Sequence, residues 1–411
     1  MAEAVTDPWV LLPAAALAGW VYLLVFHGGF WRARPRLEDE IMPPPGAGRG
    51  AWPPVVAVVP ARDEAETIAR SVSSLFSQDY PGPFSVVLVD DHSGDGTAGL
   101  ARRAAEDAGA GERLDVVSSA PLPQGWTGKV WAISQGARRS EALVPDARYL
   151  WLTDADIEHH PGELRALVAK AEEHRLDLVS VMVLLSCESF WERLLIPAFI
   201  FFFQKLYPFP WVNDPGRRTA GAAGGSMLVR RSALARAGGV AAVRGALIDD
   251  CALARRIKNV GPIWLGLSER TRSLRRYDRL SDIWAMVARS AYTQLNHSPV
   301  LMIGTVLAMM LLYLVPPAAV LVGALAKNAG AVVIGALAWL VTAAMYRPSL
   351  LLYRRPAGAA LLLPVAALLY CGMTLESAWR HWRGRDGGWK GRTYVAPADR
   401  AARPSGRAGG D

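Results

Sequence analysis

Two long apolar stretches frame this chain of 411 residues, one at residues 9–31 and the other at residues 299–378. Each is long enough to cross a bilayer, which takes about 20 apolar residues of helix. The residues between them alternate short apolar runs with charged, helix-like stretches, a pattern typical of α/β domains. The sequence therefore predicts an α/β domain with membrane-spanning helices on both sides.

The first apolar stretch, within residues 1–31, is expected to be an uncleaved membrane anchor. A signal peptide carries positive charge before its apolar run, whereas Glu3 and Asp7 precede this run and three arginines follow it. Because cytosolic flanks are enriched in Lys and Arg, we expect the N-terminus outside and the arginines inside. A Pro/Gly-rich linker, 32–54, then leads to the cytosolic domain, 55–298.

The net charge of +8, from 45 Lys and Arg against 37 Asp and Glu, has a membrane explanation. Basic patches can bind nucleic acid, but many of these arginines flank apolar segments, where positive charge sets membrane orientation. They are Arg32, Arg34, Arg36, Arg354, Arg355, Arg380, Arg383 and Arg385. The three cysteines lack disulfide-framework or zinc spacing. We expect a multi-pass protein of the inner (cytoplasmic) membrane with no nucleic-acid partner.

An apolar run at 148–152 predicts a buried strand that ends in two carboxylates, Asp154 and Asp156. In open α/β sheets, ligands bind outside the carboxyl ends of the strands. Two carboxylates there can hold a divalent cation together with the phosphates of a nucleotide. A D-x-D also occurs by chance in loops, so the motifs around it decide its meaning.

Two strand–turn–helix units precede this pair and predict a doubly wound, mostly parallel sheet. Their strands are expected at 55–60 and 85–90, with helices at about 64–78 and after Thr97. Helix N-termini in such units favour phosphate groups. Asp91, at the end of the second strand, can accept a hydrogen bond from a base or ribose, although helix capping also explains acids here.

Two glycine-rich stretches follow this pattern. The first, 123–129, presents Lys129 at a helix start, which suits a diphosphate, although the P-loop spacing is absent and a lone lysine is more often a surface residue. Beside the D-x-D, we interpret Lys129 as a ligand. The second, 219–229, allows close backbone approach to a ligand or a tight turn.

Three motifs in order resemble the nucleotide and metal motifs of family 2 glycosyltransferases of the GT-A type. They are VVPARDE at 58–64, VDDHSGDGT at 89–97 and TDAD at 153–156. With GWTGKVWA at 125–132 and the membrane flanks, the chain is most similar to the hopene-associated glycosyltransferase group. The resemblance covers about residues 55–265.

The resemblance implies a nucleotide-sugar donor, usually a UDP-sugar, and a divalent cation, Mg²⁺ or Mn²⁺. Asp156 would be the main metal ligand beside Asp154. Asp250 would be the base that deprotonates an acceptor hydroxyl and Asp249 a supporting acid, where the ordinary explanation of acids in a first helical turn is the helix dipole. The implied donor-binding residues are Pro60, Ala61, Asp63, Glu64, Asp91, Lys129, Asp154, Gly224 and Gly225.

The remaining segments leave alternatives open. Residues 190–211 predict an interfacial segment that rests the domain on the bilayer, or else a buried amphipathic helix. The spans expected within 299–379 lie at 299–325, 330–353 and 358–378, before a basic tail, 380–411, partly disordered in composition. Either the middle candidate is re-entrant and the tail cytosolic, or all three span and the tail lies outside.

Arginines at 270–289 can line a diphosphate, contact lipid headgroups or form a solvated face. Processive relatives carry Q-x-x-R-W where this chain has Gln294-Leu295-Asn296-His297, which leaves open whether Arg289 or His297 replaces the missing Arg.

We expect inverting transfer of a sugar to a lipid, a hopanoid by resemblance. The alternatives are a polyprenyl-phosphate glycosyltransferase, a processive polysaccharide synthase, which the missing motif disfavours, and a non-enzymatic membrane sensor or transporter.

Overall fold

The computed structural model describes residues 8–39, 52–384, 388–389 and 392–393. Most of the expected linker, at 40–51, and most of the basic tail beyond residue 384 lie outside the described residues.

Among the described residues, eight strands form one sheet in the order β3-β2-β1-β4-β7-β6-β8-β5. The pairs β1–β2, β1–β4, β2–β3 and β6–β8 are parallel, whereas β7 and β5 run antiparallel to their neighbours. The strands are β1 (Val55–Ala61), β2 (Phe84–Asp90), β3 (Leu114–Ser118), β4 (Tyr149–Leu152), β5 (Ile157–Glu158), β6 (Leu178–Leu184), β7 (Met227–Arg230) and β8 (Ile263–Ser273), with a separate pair β9 (Gly388–Trp389) and β10 (Arg392–Thr393). The predicted mostly parallel α/β fold of GT-A type is confirmed.

Helices cover both faces of this sheet. Alternate β1 residues point to opposite sides, so Val56 and Val58 pack in one apolar cluster while Val55 and Val59 pack in the other. The helices are α2 (Ile68–Phe76), α3 (Thr97–Asp107), α4 (Gly128–Leu143), α5 (Glu163–Glu173), α6 (Phe190–Leu206), α7 (Phe209–Asn213), α8 (Arg231–Arg236), α9 (Asp249–Lys258), α10 (Leu280–Ala288) and α11 (Ala291–Gln294). Short 3₁₀ turns lie at Phe30–Arg32, Leu37–Asp39, Gly111–Arg113 and Val240–Val243.

Helix α2 begins at Ile68, later than the expected start near Glu64. The backbone N–H groups just before it donate to side chains of the loop after β2. The backbone N–H of Asp63 donates to the Ser93 hydroxyl and that of Glu64 to the Thr97 hydroxyl, each at 2.9 Å. The two loops that carry the first two motifs are therefore one hydrogen-bonded unit.

The apolar flanks fold into long helices. They comprise α1 (Pro8–Phe26), α12 (Pro299–Met309), a π-helical turn (Met310–Leu314), α13 (Val315–Leu325), α14 (Ala329–Leu352), a 3₁₀ segment (Ala357–Leu362) and α15 (Leu363–Trp382). Three continuous helices in the described part are long and apolar enough to cross a membrane, Pro299–Leu325, Ala329–Leu352 and Ala357–Trp382, while the N-terminal one is shorter. These three coincide with the predicted C-terminal candidates.

Helix α1 is bonded directly to the π-helical turn. Because Pro316 has no N–H, the carbonyl of Leu312 lacks its usual partner four residues on. The indole Nε1 of Trp20, a fully buried side chain, donates to that carbonyl at 2.8 Å. The N-terminal helix thus satisfies a backbone group that the proline leaves unpaired.

Both ends of the segment 357–382 lie on the domain side, which we define as the side of the helix bundle that faces the sheet. It starts just after Tyr353, whose hydroxyl accepts a hydrogen bond from the Leu185 N–H at 3.3 Å. It ends with the ring of His381 stacked 4.3 Å from His297, immediately before α12. The segment that returns to the side on which it began is therefore 357–382. The middle candidate, α14, which was considered as re-entrant, is a continuous helix of 24 residues.

Helix α6 is largely buried between the sheet and the apolar helices. Leu195, Ile196, Ala198 and Phe201 are fully buried. Its contacts favour the buried-helix alternative for residues 190–211, and a position at the bilayer surface stays a prediction.

Candidate active site

The two D-x-D carboxylates project from a short connection at the carboxyl edge of the sheet. The connection runs from the end of β4 to β5, and β5 pairs with the far end of β8. The buried hydroxyl of Thr153 donates to the Gly225 carbonyl at 2.8 Å and lies 2.8 Å from His159 Nε2. These contacts of Thr153 hold the end of β4 against the core, and Asp154 and Asp156 face outward.

A cavity of about 230 Å³ lies above these two residues. Its wall contains Pro60, Glu64, Thr127, Lys129, Asp154, Ala155, Asp156, Ala246, Leu247, Asp249, Arg275, Tyr277 and Arg289. Six of them were predicted from the sequence as site residues: Pro60, Glu64, Lys129, Asp154, Asp156 and Asp249. We call this space the donor cavity.

Each D-x-D carboxylate is paired with a cationic side chain. Lys129 Nζ lies 2.7 Å from Asp154 and 3.7 Å from Asp249. Burial opposes a charge on Lys129, but Asp154 and then Asp249 outweigh it and hold its pKa above the ordinary value. Lys129 is therefore a permanent cation at the start of α4, as a diphosphate ligand requires.

Arg275, just beyond β8, serves the other carboxylate. Its Nε donates to Asp156 at 2.8 Å and its Nη2 to Glu64 at 3.0 Å. Burial opposes the charge of Arg275, but Asp156 and Glu64 more than offset it and raise its pKa. Glu64 of the first motif and Asp156 of the third are thus joined by one guanidinium.

Asp250 lies deeper than its neighbour Asp249. Together with Lys129, Asp154 and Gly224 it lines a small inner cavity of about 20 Å³ next to the donor cavity. Its carboxylate accepts hydrogen bonds from Gly224 N–H at 2.9 Å and Cys251 N–H at 2.7 Å. Burial, and next the charge of Asp249, raise the pKa of Asp250 to about 6.

Position 224 approaches the site closely, so a side chain there would crowd its neighbours. A Cβ there would lie 3.2 Å from Lys129 Nζ and 3.5 Å from the Asp250 carboxylate. Gly225 has a different environment, because its Cβ would meet Val183 at 3.1 Å in the core. Only the first of these two predicted glycines faces the site.

Three further predicted residues line neither cavity. Ala61 is fully buried, and its carbonyl accepts the N–H of Asp91 at 2.8 Å. Asp63 accepts a hydrogen bond from Gly94 N–H at 2.9 Å. Asp91 is 1% exposed and lies 3.6 Å from the Arg62 guanidinium. These residues hold the two motif loops together in this structure, and direct contact with a nucleoside stays a prediction.

The cavity also contains Arg275, Tyr277 and Arg289, which were not predicted from the sequence as site residues. Arg289 lines the donor cavity without an ion pair in the described part of the chain. His297 instead stacks on His381. Between the two candidates for the missing arginine, the structure brings Arg289 to the site.

The segment 275–277 is anchored by the start of α6. The fully buried Glu192 carboxylate accepts the N–H groups of Tyr277 at 2.7 Å and Ser189 at 2.8 Å. The Ser189 hydroxyl donates to the Tyr277 carbonyl at 3.1 Å. One capping box thus fixes both backbone polar groups of a cavity residue.

No group of three or more His, Cys, Asp or Glu side chains in the described residues is arranged to hold a metal ion. Four carboxylates line the donor cavity, and two of them, Asp154 and Asp156, form the D-x-D pair. Magnesium is commonly held by one or two carboxylates together with substrate phosphates. The donor set therefore fits a divalent cation that arrives with a diphosphate and not one held by protein ligands alone.

The sheet order and the acidic cavity at its carboxyl edge define a GT-A type α/β domain. Residues 56–238, a little under half of the chain, match the model of Glycosyl transferase family 2, and this match indicates a glycosyltransferase.

The solved structures that resemble it include a mannosyltransferase from Pyrobaculum calidifontis in complex with GDP-Man and Mn²⁺. That match has a TM-score of 0.52 and 19% identity, and covers 89% of this chain and 98% of that one. Glucosyl-3-phosphoglycerate synthase from Mycobacterium tuberculosis with Mn²⁺, UDP and glucosyl-3-phosphoglycerate gives a TM-score of 0.39 at 19% identity, over 59% of this chain and 79% of that one. At such identities the likeness concerns the fold alone. No curated protein matches this chain in sequence.

Proposed function

We propose that this protein is a membrane-bound inverting glycosyltransferase that moves a sugar from a nucleoside diphosphate, a UDP-sugar by resemblance, to a lipid. One observation carries the proposal. The D-x-D carboxylates, Lys129 and Asp249 line one cavity, and Asp250 adjoins it. The domain that bears this cavity packs on helices apolar enough to cross a membrane.

Three cations surround the space for the diphosphate. Lys129 and Arg275 are held in place by the carboxylates they pair with, and Arg289 carries an uncompensated charge. Fixed charges of this kind stabilise a leaving group without reorganising during the reaction. The cavity of about 230 Å³ is smaller than ordinary ligand pockets of roughly 300–1,000 Å³. The nucleoside would therefore extend over the motif loops that contain Asp63 and Asp91.

Asp154 and Asp156 are the residues that would hold a divalent cation. When bound, the cation supplies Lewis-acid neutralisation of the charge on the diphosphate.

Asp250 is proposed as the base. With a pKa of about 6 it is mostly ionised at neutral pH and remains more basic than an ordinary aspartate. It takes the proton of the acceptor hydroxyl while that oxygen bonds to the anomeric carbon. The bond from that carbon to the diphosphate oxygen breaks on the opposite side, so the configuration inverts. Asp249, in the donor cavity, supports the charge of Lys129.

A lipid acceptor follows from the position of the domain against the apolar helices, and a hopanoid from the motif resemblance. A polyprenyl phosphate would use the same donor site. We propose that the protein resides in the inner membrane with the sheet in the cytosol. The return of the segment 357–382 to the domain side would place the basic tail there too, in agreement with the tendency of positive charge to remain inside.

The direct test is to incubate membranes that contain the protein with labelled UDP-sugars and GDP-mannose, and then to extract the lipids. We expect one donor to label a lipid, with no labelling by the variants Asp156→Ala and Asp250→Asn. Alkaline or mild acid hydrolysis of the product separates a linkage to an alcohol from one to a phosphate. Binding of a donor without any labelled lipid would overturn the lipid acceptor.

A further inference from the structure

A second cavity, of about 510 Å³, lies where the glycosyltransferase domain meets the end of α14. It shares no lining residue with the donor cavity. Four arginines reach it, Arg70 from α2, Arg272 and Arg276 from β8 and beyond, and Arg354 after α14. Leucine side chains, including Leu185 and Leu352, form part of the remaining wall. We call it the junction cavity.

Two of the four guanidiniums are neutralised by neighbours. Arg70 pairs with Glu158 at 2.9 Å, and Arg276 with Glu188 at 3.4 Å. The other acid of the cavity wall, Glu269, is paired with Arg36.

Arg272 and Arg354 have no carboxylate partner in the described part of the chain. Two unpaired like charges around one space repel each other, and an anion between them removes that cost. Guanidinium groups bind phosphate oxygens through charge-assisted, often bidentate, hydrogen bonds. The cavity is therefore suited to a phosphate group.

The position of the cavity identifies the source of the phosphate. Helix α14 contributes an apolar stretch of 24 residues, and the cavity begins at its last residue, Leu352. The following residue, Tyr353, is tied to the sheet domain through Leu185 N–H. If α14 spans the bilayer, as the proposed function has it, the cavity lies at the level of the lipid headgroups, where basic pockets bind anionic lipids.

We propose that the junction cavity binds the headgroup phosphate of an anionic membrane lipid, with Arg272 and Arg354 as its ligands. The leucines would receive the glycerol and the first acyl carbons. Such a lipid would fix the domain on the membrane, because one ligand belongs to β8 and the other follows α14.

The test uses the full chain in detergent and soluble short-chain lipids. Dihexanoyl phosphatidylglycerol, dihexanoyl phosphatidylcholine and inorganic phosphate are titrated, and bound ligand is counted by native mass spectrometry. We expect phosphatidylglycerol to bind at least about tenfold more tightly than either of the others. The double variant R272Q/R354Q should weaken it by about tenfold or more, the scale of one lost charge-assisted hydrogen bond.

The matched control is R102Q/R103Q, which removes two exposed arginines from α3, away from the cavity. It should bind phosphatidylglycerol as the wild type does. If the double variant does not fold, R354Q alone replaces it, because that residue follows the end of α14.

Undiminished binding of phosphatidylglycerol to R272Q/R354Q, or equally tight binding of inorganic phosphate, would overturn the proposal. Titration of UDP with Mn²⁺ on the same samples keeps the two proposals separate. Loss of lipid binding with intact nucleotide binding concerns the junction cavity, whereas failure of the wild type to bind any nucleotide would count against the donor site.

Discussion

The carboxylate of Asp156 accepts a hydrogen bond from the guanidinium of Arg275 at 2.8 Å, across 119 positions of the chain. The same guanidinium bonds Glu64 at 3.0 Å. One arginine after β8 thus holds acids from the first and third motifs at the mouth of the donor cavity.

Metal binding should depend on the nucleotide, because Asp154 and Asp156, the two proposed protein ligands, are both already paired with cations. Isothermal titration of the wild type with Mn²⁺ should show little binding alone and clear binding with UDP or GDP present. Asp156→Asn should abolish the Mn²⁺ dependence of nucleotide binding. Asp115→Asn is the control, since Asp115 pairs with Arg139 outside the donor cavity. Tight Mn²⁺ binding without nucleotide would refute this arrangement.

The role of Asp250 as the proton acceptor should be visible in the pH dependence of kcat. Because the pKa of Asp250 is raised to about 6, the active, ionised form is lost as pH falls through that value. We expect kcat to decrease about tenfold per pH unit below about pH 6. Asp250→Asn should bind donor normally and turn over at least about a hundredfold more slowly. If Asp249→Asn shows that loss and Asp250→Asn does not, the roles of the two acids are exchanged.

Glu192 should affect donor binding although it lies outside the donor cavity. An amide at this position cannot accept all the N–H groups that the carboxylate accepts, so Glu192→Gln should loosen Tyr277 and Arg275. We expect a rise of about tenfold in the donor KM, the scale of one charged hydrogen bond. Ser298→Ala is the control, because it removes a cap from α12 that does not touch Tyr277. Equal KM values for the two variants would leave Glu192 with a purely structural role.

Glu163 should make folding stability fall with rising pH. Burial raises its pKa from 4.5 to about 7, so the folded state keeps a proton that the unfolded state has already released between these values. Its contribution is fully present below about pH 4.5 and is lost as pH rises through about 7, a difference of about 3 kcal/mol. Glu163→Gln should therefore raise Tm relative to wild type at pH 8 and not at pH 4.5. A difference that is independent of pH would contradict this assignment.

Cysteine labelling can determine on which side of the membrane the end of α15 lies. Arg383→Cys should be protected from a membrane-impermeant maleimide in intact cells and react in inverted vesicles, as Arg34→Cys does. Ala326→Cys, in the turn between α13 and α14, should show the opposite pattern. The parent protein supplies the background of its three native cysteines. Labelling of Arg383→Cys in intact cells would show that the segment 357–382 spans.

The sequence predicted those parts of the fold whose secondary structure is determined by a local hydrophobic pattern. Continuous apolar runs predicted β1, β2 and β4 to within one or two residues, because parallel strands buried on both faces need such runs. Strand β8 was not predicted, since its second half, Glu269 to Ser273, is charged and polar and owes its extension to pairing with β6 and β5.

The site residues also fall into those that a local motif predicts and those that it does not. Asp154, Asp156 and Lys129 stand in motifs, so their position at strand and helix ends could be inferred. Arg275 was one of several arginines at 270–289, and nothing near it in sequence distinguishes it from its neighbours. Its role is set by contact with Asp156, which only the folded sheet creates.

The burial of α6 has a consequence for protein production. Its fully buried residues include Leu195, Ile196 and Phe201, which pack in the same cluster as Trp20 and Tyr313 from the apolar flanks. A shortened chain, cut back to 55–298 to obtain a water-soluble enzyme, would remove Trp20 and Tyr313 from the side chains they pack against. Because the sheet domain and the apolar helices share this cluster, we expect that expression and purification must keep the two parts together in detergent or lipid.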